Sequence, residues 1–196
     1  MWKKALWLVL VALALPWTAF ASSIDVSNAG GIISGGSSGL TLTGSIMFKY
    51  GNTVAADLGS VSFTTGAFTS GDAQMGGILG AGGTFTISGN GTNGLPNGVI
   101  FSGTFSSAKW TLETLANGTH NYVLTGSLEG ANGQVGATSQ LTVNTGKGFF
   151  GGSVDLSSGD TNISLSVPEP GTLSLFGTGL IGLAGFIRRK RGSKNP

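Results

Sequence analysis

The sequence predicts an all-β central domain, a glycine-rich antiparallel β-sandwich or barrel. Apolar and polar residues alternate in several short segments, such as residues 84–88, and this period is typical of half-buried strands. Turn dipeptides such as Asn117-Gly118 separate the alternating segments. Glycine makes up 36 of the 196 residues, against a usual share of roughly 7%. Because glycine-rich short strands also occur in β-solenoids, a β-solenoid is the alternative, although no fixed repeat is found.

The first half of this domain carries the weaker strand signals. Residues 28–39 predict either a glycine-rich lead-in or an edge strand with bulges. Residues 40–50 and 61–63 alternate and predict strands. Residues 76–83 contain five glycines and predict a loop.

The second half predicts a meander of four strands. The clearest hairpin joins residues 99–114 to residues 120–129, and if it pairs symmetrically Trp110 faces Tyr122. Two further strands follow over residues 134–143 and 148–156. Ser158-Gly159-Asp160 predicts another turn. The chain is long enough for eight to eleven strands around one core.

The distribution of charge excludes nucleic acid as a partner. Three lysines and seven carboxylates lie between residues 22 and 167, which leaves a net charge of −4. A mildly acidic domain does not attract phosphate backbones. Most basic residues instead lie at residues 3–4 and 188–194, beside apolar segments, which is a membrane pattern.

The first 21 residues predict a secretory signal peptide. Two lysines precede an eleven-residue apolar run, residues 5–15, and small residues Ala19 and Ala21 occupy the positions that signal peptidase reads. We expect signal peptidase to cut after Ala21. The exported β-domain then spans residues 22–166.

Residues 167–196 form a segment of three parts. Residues 167–171 contain two prolines and predict an exposed, extended linker. Residues 172–187 are apolar and predict a single transmembrane helix about 24 Å long. The basic residues that follow place residues 188–196 in the cytoplasm. These stop-transfer residues are Arg188, Arg189, Lys190 and Arg191.

This segment resembles the PEP-CTERM sorting signal of Gram-negative bacteria. The resemblance rests on the motif residues Val167, Pro168, Glu169 and Pro170, the glycine-rich apolar helix and the basic run. It implies recognition by an exosortase, which processes the chain near the motif and releases the helix. It also implies transient anchoring in the inner membrane and a final location at the cell surface or outside the cell. A permanent single-span anchor is the alternative.

The sequence nominates no catalytic set and no cofactor. There is no cysteine, and the one histidine, His120, opens a predicted strand, where a surface or strand-end role is expected. The scattered carboxylates do not identify an acid–base pair. The oxygen-rich residues Asp155, Asp160 and Asn162 are a weak calcium candidate, but the same residue types make ordinary turns. No metal site is therefore predicted.

These observations predict a non-enzymatic cell-surface or extracellular-matrix protein. The family resemblance links it to biofilm and exopolysaccharide. The alternative is a module that binds glycan or ice, with Trp110, or Thr-x-Thr pairs at residues 41–43 and 84–86, on an exposed face. A secreted hydrolase is a further alternative. We expect Trp110 and Tyr122 to fill the core.

Overall fold

The computed structural model describes residues 23–131 and 136–164, all of which belong to one compact unit, Ser22–Ser166. These residues form eleven antiparallel strands in one sheet. The strands are β1 (Ser23–Ala29), β2 (Ile32–Gly36), β3 (Gly39–Tyr50), β4 (Thr53–Thr65), β5 (Phe68–Asp72), β6 (Gly76–Leu79), β7 (Gly82–Asn90), β8 (Asn97–Thr114), β9 (His120–Gly130), β10 (Gly136–Gly146) and β11 (Ser153–Ser164). The predicted all-β, antiparallel class is confirmed.

The pairing of these strands closes the sheet into a ring. Going around it, β1 pairs with β3, β3 with β4, β4 with β7, β7 with β8, and β8 with β9. β9 then pairs with β10, β10 with β11, and β11 with β1. The sheet is thus a barrel rather than a sandwich, and its antiparallel ladders rule out a solenoid for the described residues.

Three of the eight positions in the ring are filled by interrupted strands. β2 continues β1, and both pair with β3 and β11. Gly30 and Gly31 separate them with positive φ angles of 67° and 78°. A Cβ on Gly31 would lie 2.5 Å from the backbone of Ser45, so the interruption requires glycine. Similarly, the β5–β6 hairpin extends the β4–β7 pair, and β6 pairs with β8.

Alternating side chains point inward and fill the barrel. Four phenylalanines pack edge-to-face or stacked in its middle, with Phe63 and Phe105 centroids 5.8 Å apart. Trp110, Tyr122 and Phe150 form a second aromatic cluster. The interior is therefore a packed core, as in other small barrels.

Polar side chains are also buried between β1, β3, β10 and β11. Asn28 Nδ2 donates to Ser45 Oγ at 2.7 Å, and the hydroxyls of Ser139 and Thr161 are 3.1 Å apart. Asn28 Oδ1 has no hydrogen-bond partner among the described residues. The first contact joins β1 to β3 and the second joins β10 to β11, on either side of the β1–β11 pairing.

Three local predictions are wrong. Residues 28–39 are not a lead-in or an edge, because β1 and β2 are paired on both sides. Most of residues 76–83 form β6 and the start of β7. Ser158-Gly159-Asp160 lies inside β11 and makes no turn. In each case glycine permits close strand approach rather than a turn.

Several sequence predictions concern residues outside the described ranges. They include the signal peptide at residues 1–21, the linker at 167–171, the helix at 172–187 and the basic segment at 188–196. Within the described ranges, no helix has the length and apolar character needed to cross a membrane.

Candidate functional site

The outer face of strands β8, β9, β10, β11 and β1 carries two rows of polar side chains in register. Each row crosses the strands, because the paired residues are direct cross-strand neighbours. Neighbouring strands are about 4.8 Å apart, so a row of five residues spans about 19 Å. One row is Asp25, Asn162, Thr138, Ser127 and Ser107, and the other is Asp160, Gln140, Thr125, Lys109 and, on β6, Ile78.

These rows line a groove of about 590 Å³, called here the outer groove. The two strands in the middle of the groove, β9 and β10, contribute mostly short side chains, such as Thr125, Ser127 and Thr138. Longer side chains form the two walls, with Ile78 and Lys109 on one side. The depression between the walls therefore lies over the middle of β9 and β10, and its volume is within the usual range for ligand clefts.

Charged groups are concentrated on the wall formed by β11 and β1. Lys49 Nζ donates to Asp25 Oδ2 at 2.6 Å, and Ser27 Oγ donates to Asp160 Oδ1 at 2.6 Å. The hydrogen bond and the charge of Asp25 raise the pKa of Lys49 above its ordinary value of 10.5. Both members of the ion pair remain substantially exposed, so it adds little to stability.

Asp25 and Asp160 are brought together by the β1–β11 register. Asp25 is opposite Asn162, and Asp160 is two residues earlier on β11, so the carboxylates are diagonal neighbours. Such neighbours are about 7–8 Å apart, which lies in the range used by glycosidase carboxyl pairs. However, each carboxylate accepts a short hydrogen bond at an open surface. Neither has the desolvated setting that favours a general acid.

The three calcium candidates are distributed along β11. Asp160 and Asn162 share the outer face and line the groove. Asp155 lies five residues before Asp160 in the same strand, about 16 Å from it at the usual rise per residue. Among the described residues, no three His, Asp or Glu side chains form a group that could hold a metal ion.

Trp110 and Tyr122 point into the barrel. The β8–β9 register places Trp110 opposite Leu124 and Tyr122 opposite Leu112, so the two aromatic residues are diagonal rather than directly facing. Their rings stack at 5.1 Å with an angle of 17° between their planes. Both are fully buried, so the predicted core role is confirmed. Trp110 cannot present its ring to an external glycan.

Polar atoms of this aromatic cluster bind the turn between β5 and β6. Trp110 Nε1 donates to the carbonyl of Ala73 at 2.8 Å, and the Tyr122 hydroxyl donates to that of Gln74 at 2.5 Å. The same hydroxyl accepts from the Phe150 backbone N–H at 3.0 Å. These bonds hold the β5–β6 turn over one end of the barrel.

His120 lies at the start of β9, as predicted. Its ring stacks on Phe149 with centroids 4.5 Å apart, and its Nδ1 is 3.0 Å from Thr114 Oγ1. The imidazole thus contributes to the closing turn of the β8–β9 hairpin.

The Thr-x-Thr pairs lie on the outer face of β3 and β7, away from the groove. Thr41, Thr64 and Thr84 form one row, in which the hydroxyls of Thr64 and Thr84 are 3.1 Å apart. A bulge in β3 after Leu42 interrupts the next row at Thr43. The threonine array is therefore irregular as well as twisted.

Comparison with known proteins identifies one further functional segment. Residues 166–191 match the family described as the PEP-CTERM protein-sorting motif. The chain carries a PEP-CTERM sorting motif. This motif implies an exosortase-sorted protein that is exported to the cell surface or extracellular space. No curated protein and no solved structure matches the chain.

The PEP-CTERM match contains the sequence-predicted sorting residues. These are Val167, Pro168, Glu169 and Pro170, with Arg188, Arg189, Lys190 and Arg191 at its end. They lie outside the described residues, as do Ala19 and Ala21 at the predicted signal cleavage site. The described domain ends at Ser164, two residues before the match begins.

The outer groove was not predicted from the sequence. Its residues come from strands as far apart in sequence as β1 and β11, and they meet only because the ring closes. Each strand shows ordinary alternation, which assigns residues to an outer face but does not say which strands are neighbours.

Proposed function

We propose that this chain is a non-enzymatic protein of the cell surface or extracellular matrix. The PEP-CTERM match at residues 166–191 carries this proposal, because it implies sorting to that location. Signal peptidase removes residues 1–21, and residues 172–187 anchor the exported chain transiently in the inner membrane. Exosortase then acts near Pro168-Glu169-Pro170 and releases the domain from its anchor.

The packing of the domain supports a role exerted through its outer surface. Apolar side chains fill the described interior, including Phe85, Phe101 and Trp110, so a ligand has no room between them. The outer face instead presents hydroxyl, amide and carboxylate groups. A stable scaffold with a polar exterior suits a hydrated matrix, and exopolysaccharide is its expected neighbour there.

Localisation tests this proposal. In a host that makes an exosortase, cells producing the wild-type chain are separated into membrane, surface-matrix and medium fractions. The domain is expected in the matrix fraction, and Glu169→Ala is expected to shift it to the membrane fraction. A matched change outside the motif, Ser193→Ala, should leave the distribution unchanged. Equal membrane retention of all three chains would favour the permanent anchor.

A second assay tests the non-enzymatic part of the proposal. The purified protein is incubated with polysaccharide from the host matrix, and new reducing ends are measured. No increase is expected. An increase that Asp25→Asn and Asp160→Asn both abolish would instead identify a hydrolase that uses the diagonal carboxylate pair.

A further inference from the structure

We propose that the outer groove binds an uncharged, extended polysaccharide chain. This inference builds on the proposed surface or matrix function by assigning it a ligand class and a binding site.

The shape of the groove suits a linear chain. Short side chains on β9 and β10 form its floor, with Thr125, Ser127 and Thr138 in the middle. Ile78 and Lys109 form one wall, and the side chains of β11 and β1 form the other. Each strand contributes lining residues over only about 7 Å, whereas the rows extend about 19 Å across the strands. A ligand in the groove is therefore elongated across the strands, from one wall to the other.

The hydrogen-bonding groups of the floor suit hydroxyl-rich ligands. Thr125, Ser127, Thr138 and Gln140 are exposed, and their side chains form no hydrogen bond with any described residue. Hydroxyl and amide groups both donate and accept. Sugar hydroxyls have the same dual character, so each can bond to a floor residue in either sense.

The charges beside the groove balance one another. Asp25 is neutralised by Lys49 at 2.6 Å. Asp160 on the same wall and Lys109 on the opposite wall, three strands away in the same row, carry opposite charges. Because no single sign dominates, the groove provides little long-range attraction for a polyanion or a polycation. This balance favours an uncharged ligand.

The backbone around the groove disfavours an extended peptide. β9 and β10 pair on both edges, so neither offers a free edge for an added strand. Ile78 is the exposed large apolar side chain on the lining, and the exposed floor residues carry hydroxyl or amide groups. A polysaccharide needs neither feature.

Affinity electrophoresis of the full chain in mild detergent tests this inference. Native gels contain hydroxyethylcellulose or dextran as uncharged probes, alginate as a polyanion, or chitosan as a polycation. We expect an uncharged probe to retard the wild-type protein. Ser127→Arg, which fills the floor, is expected to reduce affinity at least tenfold. The matched control Ser62→Arg, on the exposed outer face of β4, should bind as wild type does.

A milder variant keeps the test decisive if Ser127→Arg folds poorly. Gln140→Ala removes one hydrogen-bonding side chain and is expected to weaken binding about three- to tenfold. Unchanged affinity in both groove variants, retardation by alginate or chitosan alone, or no retardation in any gel would overturn the inference. The localisation assay uses no polysaccharide probe, so failure of binding is distinguishable from failure of the proposed surface function.

Discussion

Ser23 in β1 is paired directly with Ser164 in β11. The first and last described strands therefore close the ring, and the two ends of the domain lie side by side. The ring cannot close until β11 is available, so folding of the domain depends on its last strand.

The β1–β11 pairing that closes the ring, called here the closing seam, contains a glycine that we predict to be essential for packing. A Cβ on Gly159 would lie 2.5 Å from Asn28 Oδ1 and 3.0 Å from Leu141 Cδ2. We expect Gly159→Ala to displace Asn28 from Ser45 and to lower the free energy of unfolding by about 1–3 kcal/mol. Urea denaturation measures the change.

Gly36→Ala is the matched control for the seam. A Cβ on Gly36 has no atom within 4 Å, so this substitution is expected to be neutral or slightly stabilising. Equal losses of stability in both variants would show that steric contact with Asn28 is not the cause.

We predict that the aromatic cluster at the β5–β6 turn supports stability rather than ligand binding. Tyr122→Phe keeps the ring but removes the acceptor of the buried Phe150 N–H. The expected loss is about 1–3 kcal/mol in the free energy of unfolding. Trp110→Ala leaves a large cavity, and its expected loss is about 3–5 kcal/mol.

Polysaccharide binding separates this structural role from a binding role. Affinity is measured at a temperature where Tyr122→Phe remains folded. For any polysaccharide that retards the wild-type protein in native gels, this variant should bind as tightly as wild type does. A selective loss of affinity with unchanged stability would contradict the buried placement of this cluster.

The β8–β9 hairpin shows which features local sequence patterns predict and which they do not. Asn117-Gly118 and the flanking alternation located the turn, and both partner strands were identified correctly. The directly facing pair was displaced by two residues, since Trp110 is opposite Leu124. Alternation still placed Trp110 and Tyr122 on one face, which is why their core role was predictable.

Glycine was the main source of error in the fold. Gly77 and Gly83 suggested a loop, but a Cβ on either would clash with the backbone of the neighbouring strand. Gly159 suggested a turn, but glycine is required there because the position packs against the Asn28 side chain. Asn28 is 131 positions away in the sequence, so no local pattern reveals this contact. Such non-local contacts are absent from any local pattern, and the groove went unpredicted for the same reason.

Alkaline conditions are predicted to destabilise the end of β3. Burial raises the pKa of Tyr50 above its ordinary value of 10.0, because it disfavours the phenolate. The unfolded chain therefore loses this proton first, and stability falls as the pH rises above about 10. In urea denaturation at pH 8 and pH 11, Tyr50→Phe should lose less stability than wild type. Equal losses would contradict the prediction.

Lys49 is predicted to contribute in the same pH range. Its hydrogen bond with Asp25, together with that carboxylate's charge, raises its pKa above 10.5 in the folded chain. The stabilisation is present below that value and disappears as the pH rises through the folded pKa. Lys49→Gln should therefore be slightly less stable than wild type at pH 8 and converge with it at high pH. Lys147→Gln, at a lysine that forms no ion pair with the described residues, is the control.

Processing of the PEP-CTERM segment is tested most directly by the intact mass of the protein recovered from the cell surface or medium. In a host with an exosortase, we predict a mass that lacks residues 1–21 and residues 188–196, and accumulation of the uncut precursor for Glu169→Ala. A surface protein whose mass includes Arg188, Arg189, Lys190 and Arg191, or equal processing of Glu169→Ala, would contradict exosortase-directed release.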